Sequence, residues 1–171
     1  MENTRPVCRE STTKRAQCER CARAVSICIC EALPPERLAL QTKILVVQHP
    51  LERHRKVIGT VPLLEACLTN FEILVSDPRG ATSSPGDSET TGRASVCTAA
   101  EVITRRHTGA CFLLYPCADA VDVESGLLPD AERSERTLIV IDGTWPQARQ
   151  IFERGGLKDA VRAGTLRCIQ V

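Results

Sequence analysis

The sequence predicts an α/β domain in which a mainly parallel sheet is covered by flanking helices. Short, continuous apolar runs recur along the chain, such as ILVV at 44–47 and LIVI at 138–141. Strands of a parallel sheet are buried on both faces, so they contain such runs without polar residues at alternate positions. Stretches with apolar residues at helical spacing separate the runs, and they are long enough for crossover connections.

The length of 171 residues and the hydrophobic content of 43% suit one domain with a substantial core. Residues 1–17 are polar, and we expect them to form a flexible amino terminus. The net charge of +1 neither requires nor excludes a nucleic-acid partner. Since no signal peptide or membrane-length apolar run is visible, we expect an intracellular protein of the cytoplasm, the nucleus or both, without membrane contact.

The first half of the chain is predicted to contain two strands with a helix between them. The run at 44–47 forms the first strand, and FEILVS at 71–76 forms the second. The helix is expected to begin near Pro62, because proline suits the first turn of a helix. Residues 79–95 are rich in Ser, Thr, Gly and Pro and are predicted to form an exposed loop.

The second half is predicted to alternate helices and strands. A helix with Ser95 or Thr98 as its N-cap comes first, and the acidic stretch 117–136 is expected to be irregular. A further helix follows the fourth strand and ends at glycine. These strands and that helix are ACFLL at 110–114, TLIVI at 137–141, PQARQIFERGG at 146–156 and TLRCIQV at 165–171.

Four predicted strands end alike, because each apolar run gives way to polar or aromatic residues and then to proline. The endings are QHP at 48–50, SDP at 76–78, LYP at 114–116 and DGTWP at 142–146. The SDP ending is better explained as an ordinary turn. Open α/β sheets bind ligands beyond the carboxyl ends of their strands. We therefore expect one sheet edge to gather the following residues: His49, Tyr115, Asp142, Thr144 and Trp145.

The fourth strand ends at a carboxylate, and the only tryptophan of the chain follows three residues later. Thr144 is placed to cap the next helix, and Pro146 is placed in its first turn. The free N–H groups of that helix would point at whatever lies beside Asp142. Alternatively, Asp142 is a structural cap and Trp145 packs in the core beneath the helix.

Four cysteines lie within thirteen positions, in the pattern C-x2-C-x6-C-x-C. Cys18, Cys21, Cys28 and Cys30 match the ligand count of a structural zinc site, which is tetrahedral and closed. Free thiols are the alternative, and Cys8 could replace one ligand. Disulfides are not expected in a reducing compartment. Ile27 and Ile29, between and beside the ligands, are expected to point into the domain.

Taken together, the motifs resemble those of the DTW-domain family. The resemblance covers about residues 15–171, with residues 18–171 as the DTW domain. Its motifs are the cysteine cluster at 18–30, HPLERHRKVIGT at 49–60, LYP at 114–116 and Asp142-Gly143-Thr144-Trp145, followed by P-x-A. Members usually continue well past the DTW helix, so the resemblance implies that the carboxyl-terminal part of the domain is missing.

The resemblance implies a tRNA-uridine aminocarboxypropyltransferase, an enzyme of tRNA processing and modification. Such enzymes move the 3-amino-3-carboxypropyl group of S-adenosylmethionine to N3 of a uridine in tRNA and form acp3U. The resemblance also implies a fold similar to the SPOUT RNA methyltransferases, with a knotted carboxyl-terminal cofactor site. A non-catalytic, zinc-bearing RNA-binding relative is the main alternative. An RNA methyltransferase is a third possibility.

For the reaction itself, the candidate residues are Asp142, Thr144 and Trp145. Asp142 could remove the proton from uridine N3, or it could orient the uridine or the ammonium group of the donor. Trp145 could stack on the uracil or form a wall of its pocket. Thr144 either caps the helix or touches the substrate.

The remaining candidates bind the donor or the RNA. Leu114, Tyr115 and Pro116 resemble the LYP segment of the family and are expected beside the cofactor, with Tyr115 as a core aromatic being the alternative. For tRNA phosphates the candidates are His49, Arg53, Arg55 and Lys56, on a loop that could also be ordinary charged surface.

Overall fold

The computed structural model describes residues 16–21, 23–53, 59–77, 82–83, 97–125 and 135–171. Arg55 and Lys56 lie outside these ranges, as does most of the predicted amino terminus 1–17 and of the predicted loop 79–95. No helix within the described ranges combines the length and the apolar character that crossing a bilayer requires.

A seven-stranded sheet forms the centre of the molecule, and its strands lie in the order β3-β2-β1-β6-β4-β7-β5. Six strands run parallel to their neighbours, while β3 at one edge is antiparallel to β2. The strands are β1 Thr42–Gln48, β2 Phe71–Ser76, β3 Thr82–Ser83, β4 Ala110–Leu114, β5 Val121–Asp122, β6 Arg136–Asp142 and β7 Arg167–Gln170. The predicted α/β class with a mainly parallel sheet is confirmed.

Within the described ranges, five α-helices connect the strands: α1 Pro50–Arg53, α2 Val61–Cys67, α3 Ala99–Arg106, α4 Trp145–Arg154 and α5 Leu157–Arg162. Thr98 is the N-cap of α3, where its hydroxyl accepts a hydrogen bond from Glu101 N–H at 3.3 Å. The helix α4 ends at Gly155, as the sequence predicted. Short 3₁₀ helices occupy Val25–Ile27, Cys30–Ala32 and Val123–Ser125.

The main core lies between one face of the sheet and helices α3, α4 and α5. Its strand residues include Leu45 and Val47 of β1, Ile139 of β6 and Leu113 of β4, all nearly inaccessible. Ile141 and Tyr115 pack against the same cluster. Burial of such side chains contributes about 1.5–3 kcal/mol each, so this face fixes the strand register that aligns the carboxyl ends.

The alternation of side chains along β6 places Asp142 on the face of the sheet opposite the main core. Successive side chains of a strand point to opposite faces of the sheet, and Ile141 belongs with the main core. Asp142 and its register partner Gln48 are therefore on the face that α3, α4 and α5 do not cover. Tyr115, two residues after Leu113, is on the helix-covered face.

Several short elements, among them β3, β5 and α5, were not predicted from the sequence. The predicted exposed loop 79–95 contributes β3 to the sheet edge, and the acidic stretch 117–136, predicted to be irregular, contributes β5. Helix α5 lies between the two predicted elements at the end of the chain. These segments contain only two to six residues each and are too short to show a period.

Candidate active site and metal centre

The four predicted cysteine ligands come together in the structure. Their sulfur atoms all lie within 4.8 Å of one another. Cys18 Sγ is 3.4 Å from Cys30 Sγ, and Cys21 Sγ is 3.7 Å from Cys28 Sγ. A regular tetrahedron with metal–sulfur bonds of about 2.3 Å has sulfur atoms about 3.8 Å apart. The cluster therefore could hold a metal ion, and its donor set fits zinc.

A small hairpin presents the first two of these cysteines. Cys18 N–H donates to the carbonyl of Arg23 at 2.7 Å, and Gln17 pairs with Ala24 as an antiparallel bridge. Hydrogen bonds from the backbone at Cys21 lower the pKa of the Cys18 thiol. Low thiol pKa values favour the thiolate form, which is the form that binds metals.

Cys21 favours the thiolate form more strongly than Cys18 does. Burial raises the pKa of its thiol, but hydrogen bonds from the backbone at Ile29 and Arg23 outweigh that effect and lower the pKa to about 6. The pKa of the Cys28 thiol is raised, and burial raises the pKa of the Cys30 thiol to about 12, so two of the four ligands favour the thiolate form before a metal binds. The expectation that Ile27 points into the domain is wrong, because 56% of its surface is exposed. Ile27 lies in a 3₁₀ helix that turns its side chain outward.

Asp142 is held by a buried amide at the carboxyl edge of the sheet. Gln48 Nε2 donates to Asp142 Oδ2 at 2.8 Å, across the pairing of β1 with β6. His49 N–H donates to the backbone carbonyl of Asp142 at 3.0 Å. Gln48 is buried and Asp142 is half-buried, so the carboxylate is fixed in place and remains accessible.

Thr144 is the N-cap of helix α4, as the sequence predicted. Its backbone is extended, and its N–H donates to Gln147 Oε1 at 2.7 Å in a capping box. Gly143 leaves the turn room, since a Cβ there would lie 3.1 Å from the side chain of Gln147. The turn from the strand into α4 is therefore tight, and it keeps Asp142 and Trp145 close along the chain.

Three aromatic rings extend from the core to the surface beside this turn. Phe152 is buried and stacks on Tyr115, with ring centres 4.3 Å apart. Tyr115 meets Trp145 edge-on at 6.3 Å. Burial raises the pKa of the Tyr115 hydroxyl. Trp145 is 68% exposed, so packing of Trp145 in the core beneath the helix is excluded.

The predicted edge residues thus form two groups. Asp142, Gln48 and His49 make up one group, and hydrogen bonds join it. Tyr115 and Trp145 make up the other, and ring contacts join it. Leu114 is half-buried and Pro116 is exposed, on either side of Tyr115.

The predicted RNA contacts differ in accessibility. The His49 side chain is buried, at 8% exposure, and its Nδ1 accepts a hydrogen bond from Leu51 N–H at 3.2 Å. Arg53 is exposed at the end of α1. Arg55 and Lys56 fall outside the described residues, so their part in RNA binding stays a prediction.

Two features of the edge were not identified from the sequence. The sequence places Gln48, the partner of Asp142, only in a strand ending, and no local pattern indicates its contact with a residue 94 positions away. Ser76 ends the neighbouring strand β2, and its buried hydroxyl has no hydrogen-bond partner among the described residues. Both residues lie at the carboxyl edge of the sheet.

Comparison with known proteins identifies the family of this chain. A sequence model of the DTW domain matches residues 15–168. The chain belongs to the DTW-domain family. The predicted membership is confirmed, and the DTW motif itself is the turn that joins β6 to α4.

Curated relatives of this DTW-domain chain have names that state an activity. The chain is similar to tRNA-uridine aminocarboxypropyltransferase 2 of Macaca fascicularis, with 37% identity over 86% of the chain and 45% of the relative. The protein of that name from Mus musculus is 38% identical over the same shares, and that from Drosophila melanogaster is 30% identical over 81% and 49%. The chain therefore spans about half the length of these relatives. No solved structure is a significant match.

Proposed function

We propose that this DTW-domain chain acts in tRNA-uridine aminocarboxypropyl transfer, with S-adenosylmethionine as the donor and N3 of a uridine in tRNA as the acceptor. The names of its relatives support this reaction class. The single observation that carries the proposal is the Asp142 carboxylate, which a buried glutamine holds at the carboxyl edge of the sheet. The activity of the longer relatives extends to this chain only as part of the proposal.

The reaction requires positioning and the removal of one proton. A bond forms between uridine N3 and the side-chain carbon next to the sulfonium, the bond from that carbon to sulfur breaks, and 5′-methylthioadenosine leaves. The proton of N3 passes to a base. Because the sulfonium already activates the carbon, the protein must mainly align N3 with that carbon and not with the methyl group.

Asp142 is the proposed base. Its Oδ2 accepts the hydrogen bond from Gln48, so Oδ1 is the oxygen that can face the N3–H group of uridine. A base must reach the proton it removes at about 2.6–3.2 Å. Since Gln48 is buried in β1, the carboxylate does not have to be ordered again when substrate binds.

The other candidates have supporting roles in the proposal. Trp145 offers an exposed stacking surface for a nucleobase. Thr144 caps α4 and directs its first turn toward the site. For the donor we propose the segment Leu114, Tyr115 and Pro116, which follows β4 at the same edge. For the phosphates of tRNA we propose Arg53, Arg55 and Lys56. The neighbouring His49 is buried and joins this segment to Asp142 through its backbone N–H.

The cysteine cluster is proposed to bind structural zinc. Four thiolates complete a tetrahedral shell and leave no open position for a substrate. The cluster closes the arm that precedes β1, and the Arg20 side chain donates to the carbonyl of Pro34 in the connector that follows. Zinc would therefore stabilise this arm and take no part in the transfer.

Transfer can be tested with unmodified tRNA and S-adenosylmethionine labelled separately in its methyl and aminocarboxypropyl groups. The proposal predicts that only the aminocarboxypropyl label enters tRNA. Methyl label alone would indicate a methyltransferase and contradict the proposal. Retained tRNA binding without any transfer would favour the second candidate, a non-catalytic RNA-binding relative, for which the exposed Trp145 would suffice.

A further inference from the structure

Trp145 is the outer end of a row of rings that is anchored in the core. Phe152 is buried, Tyr115 stacks on it at an interplanar angle of 20°, and Trp145 meets Tyr115 at 63°. An exposed indole that rests on anchored rings loses little conformational freedom when a ligand binds. Its free face is a flat apolar surface of the kind on which nucleobases stack.

Arg149 lies one helical turn after Trp145 on the same side of α4. Residues four apart on a helix have Cβ atoms about 5–6 Å from each other. The Arg149 side chain is 74% exposed, and its Nε lies 3.4 Å from Glu153 Oε1. An ion pair between side chains this exposed is weak, so Arg149 can turn to an anion beside the indole at little cost.

We infer that Trp145 and Arg149 form a binding platform for one unpaired RNA nucleotide, with the base on the indole and the phosphate on the guanidinium. The inference adds a binding site to the proposed function, and it rests on that function only for the identity of the RNA. The platform belongs to the aromatic group on the helix-covered face, whereas Asp142 lies on the other face. The nucleotide it holds is therefore a different one from the target uridine.

The combination of groups favours RNA over an acidic peptide. A peptide carboxylate would use Arg149 and leave the exposed Trp145 surface unoccupied. A splayed nucleotide uses both the flat apolar face and the cation, which is how proteins recognise single-stranded loops of RNA. A duplex offers no free base face, so it would meet the cation alone.

The only tryptophan of the chain makes the platform directly observable. The full chain is titrated with a short, fluorescein-labelled uridine oligonucleotide while RNA anisotropy and tryptophan emission are both recorded. The inference predicts that emission is quenched to saturation at the same Kd that anisotropy reports. An RNA duplex of equal length should leave emission unchanged, as should an oligoglutamate peptide.

Variants separate the two halves of the platform. Trp145→Ala should weaken oligonucleotide binding about tenfold or more without changing its salt dependence, and Trp145→Phe should keep most of the affinity. Arg149→Ala should lower the slope of log K against log salt by about one. The matched control is Arg154→Ala, because Arg154 is exposed on the same helix but about 180° from Trp145.

Several results would overturn the inference. They are RNA binding with unchanged tryptophan emission, equal salt slopes for the two arginine variants, quenching by oligoglutamate, and failure to bind the oligonucleotide. The proposed transfer is judged separately: label transfer without quenching would remove the platform and keep the function. Quenching without label transfer would keep the platform and contradict the proposed function.

Discussion

The hydrogen bond between Gln48 and Asp142 should be energetically measurable, because it joins a buried amide to a carboxylate at 2.8 Å. A hydrogen bond to a charged group contributes about 1.5–3 kcal/mol. Since Asp142 is half-buried, we expect the lower end of that range. Gln48→Leu keeps most of the side-chain volume and leaves the Asp142 oxygen without its donor.

A double-mutant cycle isolates this contact. Free energies of unfolding are measured by urea titration for the wild type, Gln48→Leu, Asp142→Ala and the double variant. The coupling energy should be about 1.5 kcal/mol. In the transfer assay, Gln48→Leu should lower kcat about tenfold or more while KM for tRNA stays within about twofold, because a displaced carboxylate no longer meets N3.

Gln170→Leu is the matched control, since Gln170 also ends a strand but is exposed. It should change neither stability nor kcat. If the coupling between Gln48 and Asp142 stays below about 0.3 kcal/mol, the range in which independent sites add, the contact does not position the carboxylate. An unchanged kcat for Gln48→Leu would contradict the same reasoning.

Three further predictions follow from the metal site, the backbone and a buried imidazole. Purified chain should contain one zinc ion by mass spectrometry, Cys21→Ser should lose it, and Cys67→Ser, outside the cluster, should retain it. Gly156→Ala should destabilise the fold by more than about 1 kcal/mol in urea titration, because φ is +77° and the new Cβ would lie 3.1 Å from a neighbouring hydroxyl oxygen. Gly164→Ala, at φ +74° in open space, should cost less. Burial lowers the pKa of His107 in the folded chain, so its contribution to stability is present above the unfolded value of about 6.5 and is lost as pH falls through the folded pKa. The variant His107→Gln should flatten the dependence of unfolding free energy on pH in that acidic window.

The predicted longer elements are confirmed, because the strands are continuous apolar runs and the helices have apolar residues at helical spacing. The five predicted strands and the helices begun by Pro62, Thr98 and Pro146 all occur in the structure. Buried apolar runs leave a parallel sheet few alternatives, and Thr-x-x-Glu at 98–101 encodes a capping box directly.

The face of the sheet on which each of these side chains lies could not be predicted from the sequence. The sequence indicates that Tyr115 and Asp142 stand at the ends of two strands of one sheet, which places them at one edge. It does not show that their side chains take opposite faces, because that depends on the register of β4 against β6 and on which residues meet the helices. For the same reason the contact from Gln48 to Asp142, 94 residues apart, could not be identified from local pattern.

The role of Asp142 as the base is tested by single-turnover transfer of the aminocarboxypropyl label. The wild type and Asp142→Asn are compared, with tRNA affinity measured on the same samples. Asparagine keeps the size of the side chain and removes the base. The account predicts a loss in rate of about 10²-fold or more with tRNA affinity nearly unchanged. Equal rates in the two proteins would contradict it, because the carboxylate at the sheet edge would then have no part in the transfer.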